Sequence, residues 1–243
     1  MRVALVSDVH GNLSALEAVV ADIRTRAVDQ VVHGGDLALM GPRPAEVVDR
    51  VRELGWPGVV GNTDELLWRP EEHERQLELA PALAPLLELI FGAYAPDSRE
   101  RLGEDRIDWL RSLPAEHRSG ELTVVHARPG DLWRAPMPDA GDGELAEAYA
   151  PLGSPQVGYG HIHRPFVRSL GALTVANAGS AGLPWDGDSR ASYLLLTDGV
   201  AETVRVEYDV EAEVAALRAA GHPDADRLSA MRRAGRFIPP GKG

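Results

Sequence analysis

The feature that most constrains this chain is a unit repeated through its first quarter: a short apolar run, a glycine-containing turn with a metal-competent side chain, then a helical pattern. Arg2 to Val6 has the length and apolarity of a buried strand. It ends in Ser7-Asp8-Val9-His10-Gly11-Asn12, where Gly11 permits a sharp turn and Asn12 is placed to cap a helix beginning at Leu13 and fading near Arg24. Gln30 to His33 followed by Gly34-Gly35-Asp36 repeats the arrangement, as does Pro57 to Val60 followed by Gly61-Asn62-Thr63-Asp64. Between these two lies a helical pattern from Ala45 to Leu54, stopped by Gly55. Such alternation predicts a layered α/β sheet, and ligands of these folds collect beyond the carboxyl ends of the strands, where Asp8, His10, Asp36 and Asn62 fall.

The rest of the chain changes character twice. From Glu71 to Leu113 the spacing is helical and leucine-rich, broken by Pro81, Pro85 and Pro96, which predicts a helical insertion over 71–113 whose apolar residues pack and which can overhang the crevice. Strand patterns return at Leu122 to Val125, ending in His126-Ala127-Arg128, and at Gln156 to Tyr159, ending in Gly160-His161-Ile162-His163, with a helix from Gly143 to Tyr149 between them. Residues 165–170, 173–176, 192–197 and 200–208 read as short antiparallel strands. A C-terminal helical segment over 210–234, interrupted at Gly221-His222-Pro223, is a candidate homodimer contact and leads to a Pro/Gly-rich tail expected to be disordered or docked on a neighbour. We expect one domain over 1–243 that includes both the insertion and this segment.

Charge and composition narrow the chemistry. The chain has 25 Lys plus Arg against 37 Asp plus Glu, a net charge of −12 that argues against a broad nucleic-acid-binding face. It has no cysteine, so disulfides, thiolate sites and cysteine nucleophiles are excluded and any metal must take nitrogen and oxygen ligands. Neither a signal peptide nor an apolar run near the roughly 18 residues of a membrane span is present, which gives a cytoplasmic expectation with no membrane partner. Asp8, His10, Asp36, Asn62, His126, His161 and His163 all follow strand patterns, and they include four of the eight histidines. Seven such ligands exceed the need of one tetrahedral ion and suit two ions roughly 3.5–4 Å apart. The donor set favours transition metals over Ca, with Mn or an Fe/Mn pair first and Zn or Ni as alternatives. No glutamate stands beside these ligands as in a His-Glu-x-x-His helix, which disfavours a peptidase.

In order and spacing, Asp8-Val9-His10, Gly35-Asp36, Gly61-Asn62, His126 and Gly160-His161-Ile162-His163 resemble the calcineurin-like metallophosphoesterase superfamily, specifically its small bacterial phosphodiesterase-like members. The resemblance extends over nearly the whole chain and includes Asn177-Ala178-Gly179-Ser180. It implies a four-layer α-β-β-α sandwich in which Asp8, His10, Asp36 and His163 hold one metal and Asp36, Asn62, His126 and His161 the other. The implied activity is that of a dinuclear phosphohydrolase (phosphodiesterase, phosphatase or dinucleoside-polyphosphate hydrolase) acting on a small, nucleotide-like phosphate substrate. Water shared by the two ions would attack phosphorus in line, with Asp36 and Asn62 as ligands at the reacting centre and Asn12 and Arg128 as donors to the phosphoryl oxygens.

One position departs from the family pattern. Where the resemblance expects a histidine after Gly-Asn to protonate the leaving oxygen, Thr63 stands, and a hydroxyl has no proton to give at a useful pKa. Either the leaving group needs little protonation, such as a nucleotide or pyrophosphate oxygen, or His33, Asp64 or Arg128 compensates. The alternative is a weak or silent metal-binding scaffold for protein partners. Trp133 and Trp185 lie in loops where they can stack on a base or pack, Asn177 and Ser180 are placed to orient His163, and His73, His117 and His222 are expected at the surface.

Overall fold

Within the first strand, successive side chains point to opposite faces, and both faces are apolar: Val3 and Leu5 enter one core while Ala4 and Val6 enter another. A strand covered on both sides must lie in a sheet sandwiched between layers. The computed structural model describes residues 1–241 and shows how this is achieved. The strands are β1 (Arg2–Val6), β2 (Gln30–His33), β3 (Glu116–Ser119), β4 (Leu122–Val125), β5 (Gln156–Tyr159), β6 (Phe166–Leu170), β7 (Leu173–Asn177), β8 (Ala191–Thr197) and β9 (Val200–Val206). They form two sheets, ordered β2-β1-β8-β9 and β3-β4-β5-β7-β6. The β1–β2, β4–β5 and β5–β7 pairs are parallel; the others are antiparallel.

Three cores hold the layers together. Between the sheets lie Val3, Leu5, Val32, Leu122, Val124, Ala176, Leu194 and Leu196. The outer face of the first sheet, including Tyr193 and Leu195, packs on Leu16 and Val19 of α1 (Leu13–Arg24) and Val47, Val48 and Val51 of α2 (Pro44–Leu54). The outer face of the second, with Val125, Val157 and Val175, packs on Leu145 and Tyr149 of α8 (Asp142–Tyr149). Each fully buried aliphatic side chain of this kind contributes about 1.5–3 kcal/mol. The order of layers is therefore helix, sheet, sheet, helix, as expected.

The insertion is helical throughout: α3 (Asn62–Glu65) precedes α4 (Glu72–Leu79), α5 (Ala84–Leu89), a π-helical turn (Ile90–Tyr94), α6 (Ala95–Leu102) and α7 (Glu104–Arg111). Pro85 and Pro96 sit in the first turns of α5 and α6, where a missing N–H is harmless, so they start helices instead of breaking one. Among the described residues no single helix is long and apolar enough to cross a membrane.

Three local expectations are corrected. Residues 57–60 form no ladder strand: a single bridge joins His33 to Gly58, after which the Val60 N–H turns to the Pro114 carbonyl, carrying the chain off the sheet edge toward Asn62. Strand β3, Glu-His-Arg-Ser, is an edge strand with polar side chains and so lacks the apolar pattern by which the other strands are found. The C-terminal segment forms α9 (Val210–Ala219) and α10 (Ala225–Ala234), and Gly235 ends α10 with φ +58°. The tail then folds onto its own chain: Phe237 and Ile238 pack on the core and the Arg227 guanidinium donates to the Ile238 carbonyl at 2.7 Å. Lys242 and Gly243, the end of that tail, lie outside the described residues.

Candidate dinuclear metal centre

Five of the seven candidate ligands have backbones in the left-handed region: Asp8 (φ +56°), His10 (+49°), Asp36 (+53°), His161 (+67°) and His163 (+55°). Only three other non-glycine residues among those described do so. This conformation is costly for L-residues and persists where surrounding structure imposes it, typically at functional sites. The imposing contacts are visible. The Asp8 N–H donates to Gly35 O, His10 N–H to Asp36 O and Gly11 N–H to Leu37 O, lacing the β1 turn to the β2 turn. The Asp64 carboxylate accepts from the Leu37, Ala38 and Gly61 amides, tying the β2 turn to the start of α3. Two glycines are required by closeness: a Cβ at Gly61 would lie 2.0 Å from Asp36 Oδ1, and one at Gly160 would lie 2.3 Å from Asp8 Oδ2.

The strained turns converge on one spot. Asp8 Oδ1 is 3.2 Å from His163 Nε2 and 3.9 Å from His10 Nε2. The two Asp36 oxygens diverge, Oδ2 lying 3.7 Å from His10 Nε2 and Oδ1 3.5 Å from His126 Nε2. Asn62 Oδ1 lies 2.9 Å from His126 Nε2 and 3.0 Å from His161 Nδ1. Asp8, His10 and His163 form one group able to surround a cation, and Asp8, Asp36 and His126 a second. All seven side chains are buried except that of His161, which is half-buried.

The protonation pattern is that of a cation site. His10, His126 and His163 each turn Nδ1 to a backbone carbonyl, of Leu39 (3.0 Å), Gly34 (2.7 Å) and Leu183 (2.6 Å) respectively. Nδ1 is therefore the protonated nitrogen, and Nε2 presents a lone pair. His10 Nε2 and His163 Nε2 then face each other at 3.1 Å, acceptor to acceptor. His161 repeats the arrangement with its nitrogens exchanged: Nε2 donates to Trp133 O, and bare Nδ1 faces Asn62 Oδ1. Burial, reinforced by neighbouring imidazoles, pushes His10 and His161 down to about 3, so both of these rings are neutral near pH 7. Burial and the charge on Asp8 push Asp36 up to about 7. Converging lone pairs without protons fit two positive ions, and all seven candidate ligands are brought together.

The supporting residues are less as expected. Ser180 Oγ donates to Asp8 O at 2.7 Å and accepts from Leu183 N–H, whose carbonyl fixes His163, so it acts on the ligands through the backbone. Asn177 braces the Gly160 carbonyl ahead of His161. Asn12, however, caps α1 and spends its amide on Gly182 O and Tyr208 OH, so its side-chain groups are already engaged within the fold. The His33 ring is fully buried against Trp109 and Gly58, outside the cleft. Arg128 pairs with Asp131 in a separate depression, and Asp64 is committed to backbone amides. None of the three stands where an acid replacing the histidine would be needed. His222 is buried beside Tyr94 and not at the surface, because the turn between α9 and α10 packs inward.

Above the centre opens a cleft of about 360 Å³, with His10, Asp36, Asn62, Thr63, His161 and His163 at its floor. Its walls are apolar: Leu83, Leu86, Leu87 and Ile90 from the insertion, Leu228, Met231 and Phe237 from the C-terminal segment, and Trp133 and Trp185 from loops. Trp185 stacks on His163 with ring centroids 3.9 Å apart. Arg164 and Arg227 are the cations of the lining. Neither arginine is marked by a sequence motif, and the separation of the insertion from α10 in sequence hides their shared wall.

Comparison with known proteins agrees with this geometry. Over 232 residues the chain is 31% identical to an uncharacterized protein of Methanocaldococcus jannaschii, covering 86% of this chain and 88% of that protein. The crystal structure of a metallophosphoesterase from Sphaerobacter thermophilus superposes with a TM-score of 0.78 at 28% identity, covering 97% of this chain and 99% of that one. The symmetrical bis(5'-nucleosyl)-tetraphosphatase of Methylococcus capsulatus is 29% identical over 153 residues, which span 62% of this chain and only 51% of that enzyme. The family model of the calcineurin-like phosphoesterase superfamily domain matches residues 1–199, and the chain belongs to that superfamily.

Proposed function

We propose that this chain is a metal-dependent phosphohydrolase that cleaves a small phosphoester or phosphoanhydride. The observation that carries the proposal is the convergence of unprotonated imidazole nitrogens and the two divergent Asp36 oxygens at the floor of an open cleft. Asp8, His10, Asp36 and His163 would hold one ion and Asp36, Asn62, His126 and His161 the other, Mn or Fe/Mn first and Zn or Ni next. When bound, such ions acidify water and neutralise phosphoryl charge.

The chain's own groups have separate tasks. Asp36 spans the two halves, its Oδ1 held by the Thr63 N–H at 2.9 Å, and the His161 N–H holds the Asp8 carboxylate at 3.0 Å. Arg164 offers positive charge at the cleft to the phosphate, while Arg227 is engaged by Asp224. The apolar walls exclude water, which strengthens every electrostatic contact at the floor. Thr63 lines the cleft, but its buried Oγ1 makes no hydrogen bond and supplies no proton, so the leaving oxygen departs as an anion. A phosphate oxygen, as in a nucleotide or another phosphoanhydride, meets that demand, and the tetraphosphatase relatives support cleavage of an anhydride. The domain is proposed as residues 1–243, since both the insertion and the C-terminal segment wall the same cleft.

The test is hydrolysis of bis-p-nitrophenyl phosphate by Mn-loaded protein beside an Asp36→Asn control. Activity in the wild type and its loss in the variant are expected. Equal rates in the two would overturn the proposal.

A further inference from the structure

Two features of the cleft bear on what the phosphate is attached to. The first is the lining, where positive charge is scarce. Arg227 is engaged by Asp224 at 2.6 Å and by the Ile238 carbonyl, leaving Arg164 without an ion pair among the described residues. A substrate with four linked phosphates would bring more charge than one free guanidinium and the metal centre could balance within apolar walls. Hydrocarbon, by contrast, is accommodated throughout. The wall runs from buried Leu87 and Ile90 to a rim where Leu83 is 49% and Met137 41% exposed, so an apolar path leads from the ligands out to solvent. Exposed apolar residues continuous with a cleft mark a binding surface more often than chance.

The second feature is the missing acid. Among the described residues, and apart from the candidate ligands, the cleft lining includes no carboxylic acid and no histidine, and His33, Asp64 and Arg128 are all elsewhere. An alkoxide is too basic to leave unprotonated, whereas a phosphate oxygen leaves readily.

Resting on the phosphohydrolase reading above, we infer that the substrate is an amphiphilic phosphoanhydride, a diphosphate carrying one hydrocarbon chain. Its phosphates meet the metal-bearing floor and Arg164, and its chain lies against Leu83, Leu86, Leu87 and Ile90. Water adds its oxygen to one phosphorus, the bridging P–O bond breaks, and the chain-bearing phosphate and inorganic phosphate separate. The bonding pair stays on the departing oxygen, and one water proton passes to solvent. No oxidant or reductant is needed.

The experiment uses a series of n-alkyl diphosphates of increasing chain length with Mn-loaded full-length protein. Phosphate release is measured, and in parallel the tryptophan fluorescence change on binding the methylene-bridged alkyl bisphosphonates. Each added methylene should raise kcat/KM and tighten bisphosphonate binding by about two- to fourfold until the cleft is filled. Leu86→Asp should flatten both slopes, and so should Leu83→Asp at the exposed rim, where folding is not at stake. A flat chain-length dependence, or a dinucleoside tetraphosphate cleaved tenfold faster than every alkyl diphosphate, would overturn the inference even if bis-p-nitrophenyl phosphate is hydrolysed. Failure to hydrolyse any substrate would overturn the phosphohydrolase reading, and the bisphosphonate titration would still decide between a hydrocarbon-binding cleft and none.

Discussion

The floor and the walls of the cleft are built from different material. Floor side chains stand on the turns after β1, β2, β4 and β5 and at the start of α3, five of the seven ligands in strained backbone, and are locked by hydrogen bonds to carbonyls and amides from other turns. The apolar wall side chains come from the insertion, α10, the tail and two loops, and packing holds them. Strain and fixed hydrogen bonds suit groups whose lone pairs must converge to a few tenths of an ångström, since a misplaced ligand loses its ion. Apolar packing suits a surface that must exclude water and take a variable group, because dispersion and hydrophobic burial depend little on direction.

If the floor carries the chemistry, Asp36→Asn should lower the rate on bis-p-nitrophenyl phosphate by about 10²–10³-fold, equivalent to roughly 3–4 kcal/mol of transition-state stabilisation. Metal analysis of the same sample would show reduced occupancy. A wall substitution should act differently. Leu228→Ala empties a fully buried site and is expected to cost about 2–5 kcal/mol in urea denaturation while the purified protein keeps its metal content. Loss of metal in that variant would erase the division between the two regions.

Thr63 lies on the border. Thr63→His should raise the rate on a dialkyl phosphodiester by about 10²-fold, through protonation of a poor leaving group, and change bis-p-nitrophenyl phosphate turnover only slightly. A similar gain on both substrates would mean that the residue acts on something other than leaving-group protonation. Ser180→Ala removes a hydroxyl that links the Asp8 backbone to the loop fixing His163, so metal affinity by competitive chelation should fall about 10–100-fold with the fold retained.

The smallest effect concerns His33, just beneath the floor. Its buried ring, with no hydrogen-bond partner on either nitrogen, is pushed down to about 3 by burial and by His117. Above about pH 6.5 it is neutral in both folded and unfolded chains and adds no pH dependence. As pH falls from there toward 3, the unfolded chain takes up a proton that the folded one refuses, and stability declines. His33→Leu should make this decline shallower, by roughly 1.4 kcal/mol per pH unit at most, in urea melts between pH 6.5 and 4.5. An unchanged slope would show that the ring is not held neutral.

Much of the floor was legible in the chain, because a strand that ends in a glycine turn with Asp, His or Asn leaves a local trace at Asp8, Asp36, Asn62, His126 and His161. Where local pattern was weak, the chain misled. Val59 and Val60 look like strand but serve to carry Asn62 inward, and β3 is polar because one edge of its sheet faces solvent. Asn12, His33 and Asp64 carry suitable functional groups close to the ligands in sequence, yet they pack against distant segments: Gly182 and Tyr208 for Asn12, Trp109 for His33, Leu37 and Ala38 for Asp64.

By itself, then, the sequence determined the ligand types, their order on successive strands and the absence of a proton donor at Thr63, since composition and short-range periodicity are properties of the chain alone. Only the tertiary structure decided that Asp36 turns one oxygen to each half of the site and that Leu86 and Met231, 145 positions apart in the numbering, share a wall with Arg164. Such contacts arise when two sheets and their covering helices close around common cores, and residues distant in sequence become neighbours through burial with no local signal to announce it.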